Sequence, residues 1–497
     1  MRRRSDDVPS LQGPKSSSWI YGNMIEFILG VPCGEAELGW FAKYGDVVKI
    51  HGCFGQERLI IADPGAIRHI FQDPEVFVKS RKFQLITLIG FGQGSLLSAN
   101  GDSHRRIRSV MNTMFSAPRV RALKPTLERI AKDFSDELAS MSGSIVDAHH
   151  LLHKTSLRAV TEAVIGYDAV ADKKYTATYQ DLLGSASHRS RRGVVADTII
   201  SWIPDSWIWI LMEYPPPELR KLMDHRKMTY SISEKLITSR LESLKSGEPA
   251  ENDLYSVLVR TNAKATYKMT DTELKEQFGG ITTAGEDTTG NSMVWILYVL
   301  SQHPEWQARL REEIREADHA ASDAGVDYDR LPFLNAIIKE VLRFHPAGSF
   351  TEREAACDTV IPLATPLVTS TGTRVSEIKM RKGTKMGISM FGYNRLRSIW
   401  GDDAEELNPF RWLDGREIAS GGTIGPYANL LNFIGGPRTC LGWRFSILEI
   451  QVIVSELMRN FVLSFPEGVS IRPVSAITVV PMDDEGRTWL PLHVERL

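Results

Sequence analysis

The chain has 497 residues, 42% apolar and 24% charged, which fits a globular protein that can bury a large core. Its 59 basic and 61 acidic side chains give a formal charge of −2, with no basic footprint for nucleic acid. The four cysteines, Cys33, Cys53, Cys357 and Cys440, stand far apart without a Cys-x-x-Cys pair, which argues against a disulfide framework or zinc site and for a reducing compartment.

In chain order, Met1-Arg2-Arg3-Arg4 has no hydrophobic run behind it, so no signal peptide is read. No stretch reaches the roughly 18 apolar residues of a membrane span. Residues 1–17 read as a basic, proline-containing linker, and 18–497 as one large domain, mainly α with small β-sheets. Residues 15–40 show weak periodicity. Val47 to His51 and Arg58 to Ile61 read as a hairpin with Gly52 and Gly55 in its turn. Residues 83–100, apolar and Gly-rich, read as a loop. Helical periodicity dominates from Ala117 to Lys245. Within it, the aromatic run Trp202 to Met212 reads either as a surface that dips into a membrane or as buried core.

Thr270 to about Gln302 reads as one long helix, opened by the capping box Thr270-x-x-Glu273 and stopped by His303-Pro304. Its length would be roughly 50 Å. Its middle is poor helix sequence, with Gly279, Gly280, Gly285 and Gly290 each costing about 1 kcal/mol relative to Ala. Either a functional site lies there or a loop splits two helices. Leu334 to Phe344 is an amphipathic helix with Glu340 and Arg343 on one face. Residues 351–389 and 469–497 break into short strands.

The densest signal is Phe433-Ile434-Gly435-Gly436-Pro437-Arg438-Thr439-Cys440-Leu441-Gly442, followed by an amphipathic stretch from Trp443 to about Leu457. One sulfur is thereby placed at a helix N-terminus, where free N–H groups favour a thiolate suited to a soft metal such as haem iron. A lone cysteine is otherwise most often a buried structural residue. The order Phe, Gly, Arg, Cys, Gly at this spacing resembles the haem-binding loop of the cytochrome P450 family, and Ala284-Gly285-Glu286-Asp287-Thr288-Thr289 resembles that family's oxygen-activating motif. The likeness runs from about Ser18 to Val494. The segments Pro362 to Lys382 and Tyr393 to Ala404 look like fungal members, many of which tailor terpenoids and other secondary metabolites.

The resemblance implies the cytochrome P450 fold and a haem-thiolate monooxygenase with haem b (iron protoporphyrin IX), placing one oxygen atom from O2 into a hydrophobic small molecule. Cys440 would ligate the iron, with Phe433 packed beside the sulfur. Arg438, Arg108, Arg353 and His104, which replaces the family's Trp, would hold the haem propionates. Ala284 and Gly285 would let the cofactor and O2 approach the backbone, and Asp287 and Thr288 would deliver protons. Thr289 is read as a packing neighbour. Glu340, Arg343 and the arginine of Asn408-Pro409-Phe410-Arg411-Trp412 would form a buried structural network. Arg105 and Arg106 read as solvated charges, with an acidic electron donor as their alternative partner.

Electrons would come from an NADPH-cytochrome P450 reductase. By the same likeness the protein would sit at the cytosolic face of the endoplasmic reticulum, through peripheral contact in this anchor-free chain. The rival readings are a haem-thiolate enzyme that uses peroxide or rearranges an oxygenated substrate, and a non-catalytic haem protein.

Overall fold

Val47–His51 and Glu57–Ile61 pair antiparallel, Val47 opposite Ile61, in the expected hairpin. Its turn places Phe54 at φ 58° and Gly55 at φ 74°. In this computed structural model, which describes residues 6–186, 189–246, 253–265, 268–321, 325–415 and 423–497, that hairpin is the edge of a five-stranded sheet. Glu57–Ile61 runs parallel to Lys385–Ser389, which pairs antiparallel with Phe350–Ala355, which in turn pairs with the short strand Phe77–Lys79. The last register sets Lys79 directly opposite Arg353. Smaller sheets join Thr359–Val368 to Arg374–Met380, Arg472–Ser475 to Val479–Met482, and Pro491–Arg496 to both Ile145–Asp147 and Phe461–Ser464.

Helices make up most of the rest. Residues 15–40, weak in periodicity, contain two of them, Met24–Leu29 and Glu35–Tyr44. In the segment read as a linker, Val8 and Leu11 are buried, and the Asp7 amide donates to the Lys379 carbonyl at 2.9 Å. The loop expected over 83–100 is helical in its first part, Arg81–Phe91, because Ser80 caps it by accepting from the Phe83 amide.

The central helix, Gln277–Ser301, crosses the core with every residue from Thr289 to Leu297 buried. Such a helix needs apolar neighbours all round. It packs on Ala148–Ala159, the C-terminal helix Trp443–Asn460 and the helix Pro332–Phe344. The expected capping box is present, with Thr270 and Glu273 exchanging bonds, but it opens a separate short helix, Asp271–Lys275. The break falls at Glu276, whose carboxylate is drawn to Arg226 (2.6 Å) and the Gly94 amide (2.7 Å), flattening its ψ to −4°. The glycine-rich middle, by contrast, stays helical without interruption.

Candidate active site

Thr282, Glu286, Asp287 and Thr289 on the central helix are buried, whereas Ala284 and Thr288, one turn apart, are exposed. An exposed i, i+4 pair in the middle of a buried helix marks a cavity wall. The Thr288 hydroxyl donates to the Ala284 carbonyl at 2.8 Å, the i−4 back-bond open to a threonine inside a helix, and the helix continues through it. Gly285 points the other way. A Cβ there would stand 2.7 Å from Cγ2 of Val160, so this glycine lets a neighbouring helix approach rather than a cofactor. Leu97 lies against Gly280. Residues 347–350 and 475–479 meet each other: the Val479 amide donates to the Ala347 carbonyl at 2.8 Å, and the Ser349 and Ser475 hydroxyls are 3.0 Å apart. Thr289 bonds Ser446 at 2.9 Å, tying the central helix to the C-terminal helix as a packing residue should.

The cysteine loop is built to bend tightly. Gly436 has φ 65°, and a Cβ there would meet the Phe71 carbonyl oxygen at 2.2 Å. The Cys440 amide donates to Phe433 at 2.8 Å, closing the loop, and the buried Phe433 ring packs near Tyr427 and Trp443. Cys440 is exposed at its surface of the chain. Burial within the surrounding loop and helices pushes its thiol up, against the amides of Gly442 and Trp443 and the charge of Arg108. The amides at the helix start favour the thiolate, as expected from the sequence, and burial opposes them. A metal cation bound at the sulfur would add to them, since a coordinating thiol gives up its proton.

Around the sulfur stand cations in surplus. Burial and Arg438 depress Arg353 to about 10, and burial and Arg108 depress Arg438 to about 10. Lys79 falls to about 7 through burial, Arg438 and Arg353. His104 falls to about 3, pressed first by burial and then by Arg438, Lys79 and Arg108, so it is neutral and can donate one hydrogen bond. Among the described residues, Lys79, Arg108, Arg353 and Arg438 make no ion pair with a carboxylate. Arg438 instead donates to the Ala99 carbonyl and Asn100 Oδ1, both at 2.9 Å, and Arg108 to Asn112. Like charges directly across strands, as at Lys79 and Arg353, are destabilising unless an anion lies between them. Lys79 was not legible as a site residue, because only strand pairing brings it to Arg353.

A dianionic iron porphyrin fits this donor set. It matches a thiol with two amide donors, a cavity wall cleared at Ala284 and Thr288, and a cation cluster sharing Arg108 with the sulfur. Arg105 and Arg106 stand outside it. Arg105 pairs with Glu75 and Asp102 at the surface, and Arg106 pairs with Glu273 half-buried.

Behind the loop, Glu340 accepts from Arg343 (2.7 Å), Arg411 (3.1 Å), the Asn408 amide (2.7 Å) and Trp412 (2.9 Å), and both arginines are buried. Asn394 accepts from the Leu431 amide and donates to Asn432, which donates to the Leu342 carbonyl, tying this network to the loop.

The sequence profile of the cytochrome P450 family matches residues 11–481. This chain belongs to the cytochrome P450 family. It is 30% identical to cytochrome P450 monooxygenase claU of Ampulloclitocybe clavipes, covering 100% of this chain and 94% of that protein. To claW of the same fungus it is 31% identical, over 95% and 89%. To ganoderic acid synthetase CYP5150L8 of Ganoderma lucidum it is 29% identical, over 100% and 95%. The protein is a P450 monooxygenase with a haem-thiolate cofactor, using O2 and a redox partner on hydrophobic substrates. The monooxygenase reading and the mainly α fold expected from the sequence both hold.

Among the described side chains of Trp202 to Met212, Ile208 is buried, whereas three large apolar ones lie at the surface. Trp202 is 51%, Trp207 62% and Ile210 54% exposed. Phe54 sits between Trp19 and Trp202, at 5.6 and 5.5 Å, extending the apolar face. Among the described residues no helix is long and apolar enough to cross a membrane.

Proposed function

We propose that this P450 oxidises a bulky terpenoid-type intermediate of secondary metabolism, with haem b held by Cys440 and electrons supplied by an NADPH-cytochrome P450 reductase. The observation that carries the assignment is a surplus of cations without carboxylate partners near a single thiol, Arg353 buried and Lys79, Arg108 and Arg438 half-buried, which a propionate-bearing metal macrocycle balances on both counts. The terpenoid class rests on the likeness to ganoderic acid synthetase.

When bound, haem supplies dioxygen binding and activation. The chain's own residues do the rest. Amides of Gly442 and Trp443 and the Arg108 charge stabilise negative sulfur. Phe433 shields it from water. Arg108, Arg353, Arg438 and Lys79 neutralise the propionates, and neutral His104 donates to one of them. Ala284 keeps the cavity wall low. The Thr288 hydroxyl, held by the Ala284 carbonyl, orients a water, and Asp287 hands protons to it. The intact Asp287-Thr288 pair disfavours a peroxide-using or rearranging enzyme. The aromatic face of Trp19, Trp202 and Trp207 rests on a membrane surface, where Trp is favoured.

The test is the carbon monoxide difference spectrum of the reduced protein. A band near ~450 nm, the red shift of a thiolate ligand, supports the assignment. A band near ~420 nm in the intact protein, or an unchanged Soret spectrum in Cys440→Ala, refutes Cys440 as the ligand.

A further inference from the structure

We propose that His149, His153 and Glu286 form a proton feed that reloads Asp287 from the outer side of the Ala148–Ala159 helix. The inference rests on the reading of Asp287 as the proton-delivering acid. Glu286 is the unassigned position of the oxygen-activating motif, and its side chain points away from the Thr288 cavity. Its Oε1 is 2.6 Å from His153 Nδ1, its Oε2 accepts from the Tyr179 hydroxyl at 2.7 Å, and its carbonyl accepts from Ser156 at 3.2 Å. One ligating atom each of His153, Glu286 and Asp287 lies within 4.8 Å of the other two, a gap that one water bridges.

The His149 ring is 4.3 Å from that of His153. His149 is half-buried and its neighbour His150 exposed, so the row leads outward. His149 Nε2, His153 Nε2 and Asp287 Oδ2 are buried with no partner among the described residues. Buried polar atoms of this kind cost free energy unless water satisfies them. Their succession from the outer helix to the acid is what a water-filled proton path requires.

Charged and titratable groups face the pair from every side. The Ala148–Ala159 helix adds His149 and His150, and Lys173–Ala186 adds Tyr175 and Tyr179. The C-terminal helix adds Glu449, and Asn291 and Thr478 close the end at Asp287. Burial alone would depress His153, but Glu286 raises it to about 9, so it holds a proton at neutral pH. Burial and then Glu286 lift Asp287 to about 6, against the pull of His153, which leaves it able to release and regain a proton. Burial raises Glu449 well above the ordinary carboxylate range.

Each turnover takes RH + O2 + 2 e− + 2 H+ to ROH + H2O. Asp287 releases a proton toward Thr288. Glu286 passes the His153 proton to Asp287, and His153 regains one from solvent through His149. Within this feed only O–H and N–H bonds change, and the electrons of the overall reaction come from NADPH through the reductase. His153 and Glu286 act through Asp287 and are positioning residues.

The test compares wild type, His153→Gln, Glu286→Gln and Asp287→Asn as haem-loaded enzymes with reductase, NADPH and 7-ethoxycoumarin as probe. Both feed variants are expected to keep the ~450 nm band while peroxide released per NADPH rises several-fold. In His153→Gln the pH profile of that ratio moves upward, because Asp287 loses a neighbouring cation. A peroxide ratio and pH profile equal to wild type in both variants overturn the feed. The 15N-histidine spectrum of the carbon monoxide-bound wild type is independent of turnover: an imidazolium at pH 8 that disappears in His153→Gln supports the feed, and its absence from wild type overturns it even if both variants misfold. If Asp287→Asn stays fully coupled, the acid reading falls and the feed with it. If Asp287→Asn uncouples but the feed variants do not, only the feed falls.

Discussion

Asp287→Asn is expected to make the protein more stable at pH 8 while impairing it as an enzyme. Asp287 is buried, and burial followed by the Glu286 charge raises its carboxyl from an ordinary 3.8 to about 6. A carboxyl whose folded value exceeds its unfolded one binds its proton more tightly when folded, so ionisation works against the fold. The cost is absent below about pH 4, grows through the window from 4 to 6, and is complete above it. Two pH units correspond to about 3 kcal/mol, a large share of the 5–15 kcal/mol typical of a native domain. Asparagine is neutral, nearly isosteric, and still accepts from Asn291 Nδ2, which now stands 3.2 Å from Asp287 Oδ1. Urea unfolding of the haem-loaded variant should show a gain of up to about 3 kcal/mol at pH 8, shrinking toward zero near pH 4. A gain that does not change with pH, or a variant less stable than wild type at pH 8, refutes the electrostatic account. The stability would come at the expense of proton delivery, the trade expected where an active site holds a group the fold would rather keep neutral.

Glu340→Ala leaves Arg343 with carbonyl partners only, while Arg411 keeps Asp403 at 2.9 Å. The loss should be about 3–5 kcal/mol, read as a lower melting temperature and conversion of the ~450 nm band to ~420 nm, and a loss below about 1 kcal/mol would remove the network from the stability of the loop. Thr288→Ala should retain haem and the ~450 nm band but divert NADPH electrons to peroxide, and fully coupled turnover would contradict its role. Gly285→Ala sets a methyl group against Val160, a stiff β-branched side chain. The central helix must shift toward the cavity, so KM for large substrates should rise more than for small ones, and equal changes would show the helix position does not set cavity size. Trp207→Ser together with Trp202→Ser should reduce co-sedimentation with phospholipid vesicles without changing the carbon monoxide spectrum, and unchanged binding would move the membrane face elsewhere.

The sequence made the Cys440 loop, the Ala284–Thr289 motif, the first hairpin and the partners of Glu340 legible, because each depends on local spacing or on a motif with little freedom to vary. The limits of the long helix were less so. Its capping box was read correctly, but the break at Glu276 depends on Arg226 and Gly94, both distant in sequence. Lys79 escaped for the same reason, being one of many lysines until a strand register sets it opposite Arg353. The amides that favour a Cys440 thiolate follow from the helix start and could be expected from local sequence, whereas the burial that opposes them depends on distant packing. The aromatic run at Trp202 was ambiguous because an apolar stretch of about ten residues looks alike in a core and on an apolar surface, and only exposure separates the two.

The central helix shows why its middle breaks propensity rules without breaking the helix. Each irregular residue serves a different face. Ala284 and Thr288 face the cavity, Gly285 admits Val160, Glu286 meets His153 and Tyr179, and Thr289 ties to Ser446. A leucine at Gly285, Thr288 or Thr289 would cost less in propensity, but it would remove a donor, an acceptor or a close approach. The surrounding helices supply enough buried apolar area to hold the segment helical, so the glycine and threonine costs, each on the order of 1 kcal/mol or less, are borne by the core. Asp287 is buried beside the histidine face, next in sequence to the exposed Thr288, and on the proposed reading it serves both. That position lets one carboxyl serve both sides, and it explains why its neighbours tune its charge more strongly than the helix itself does.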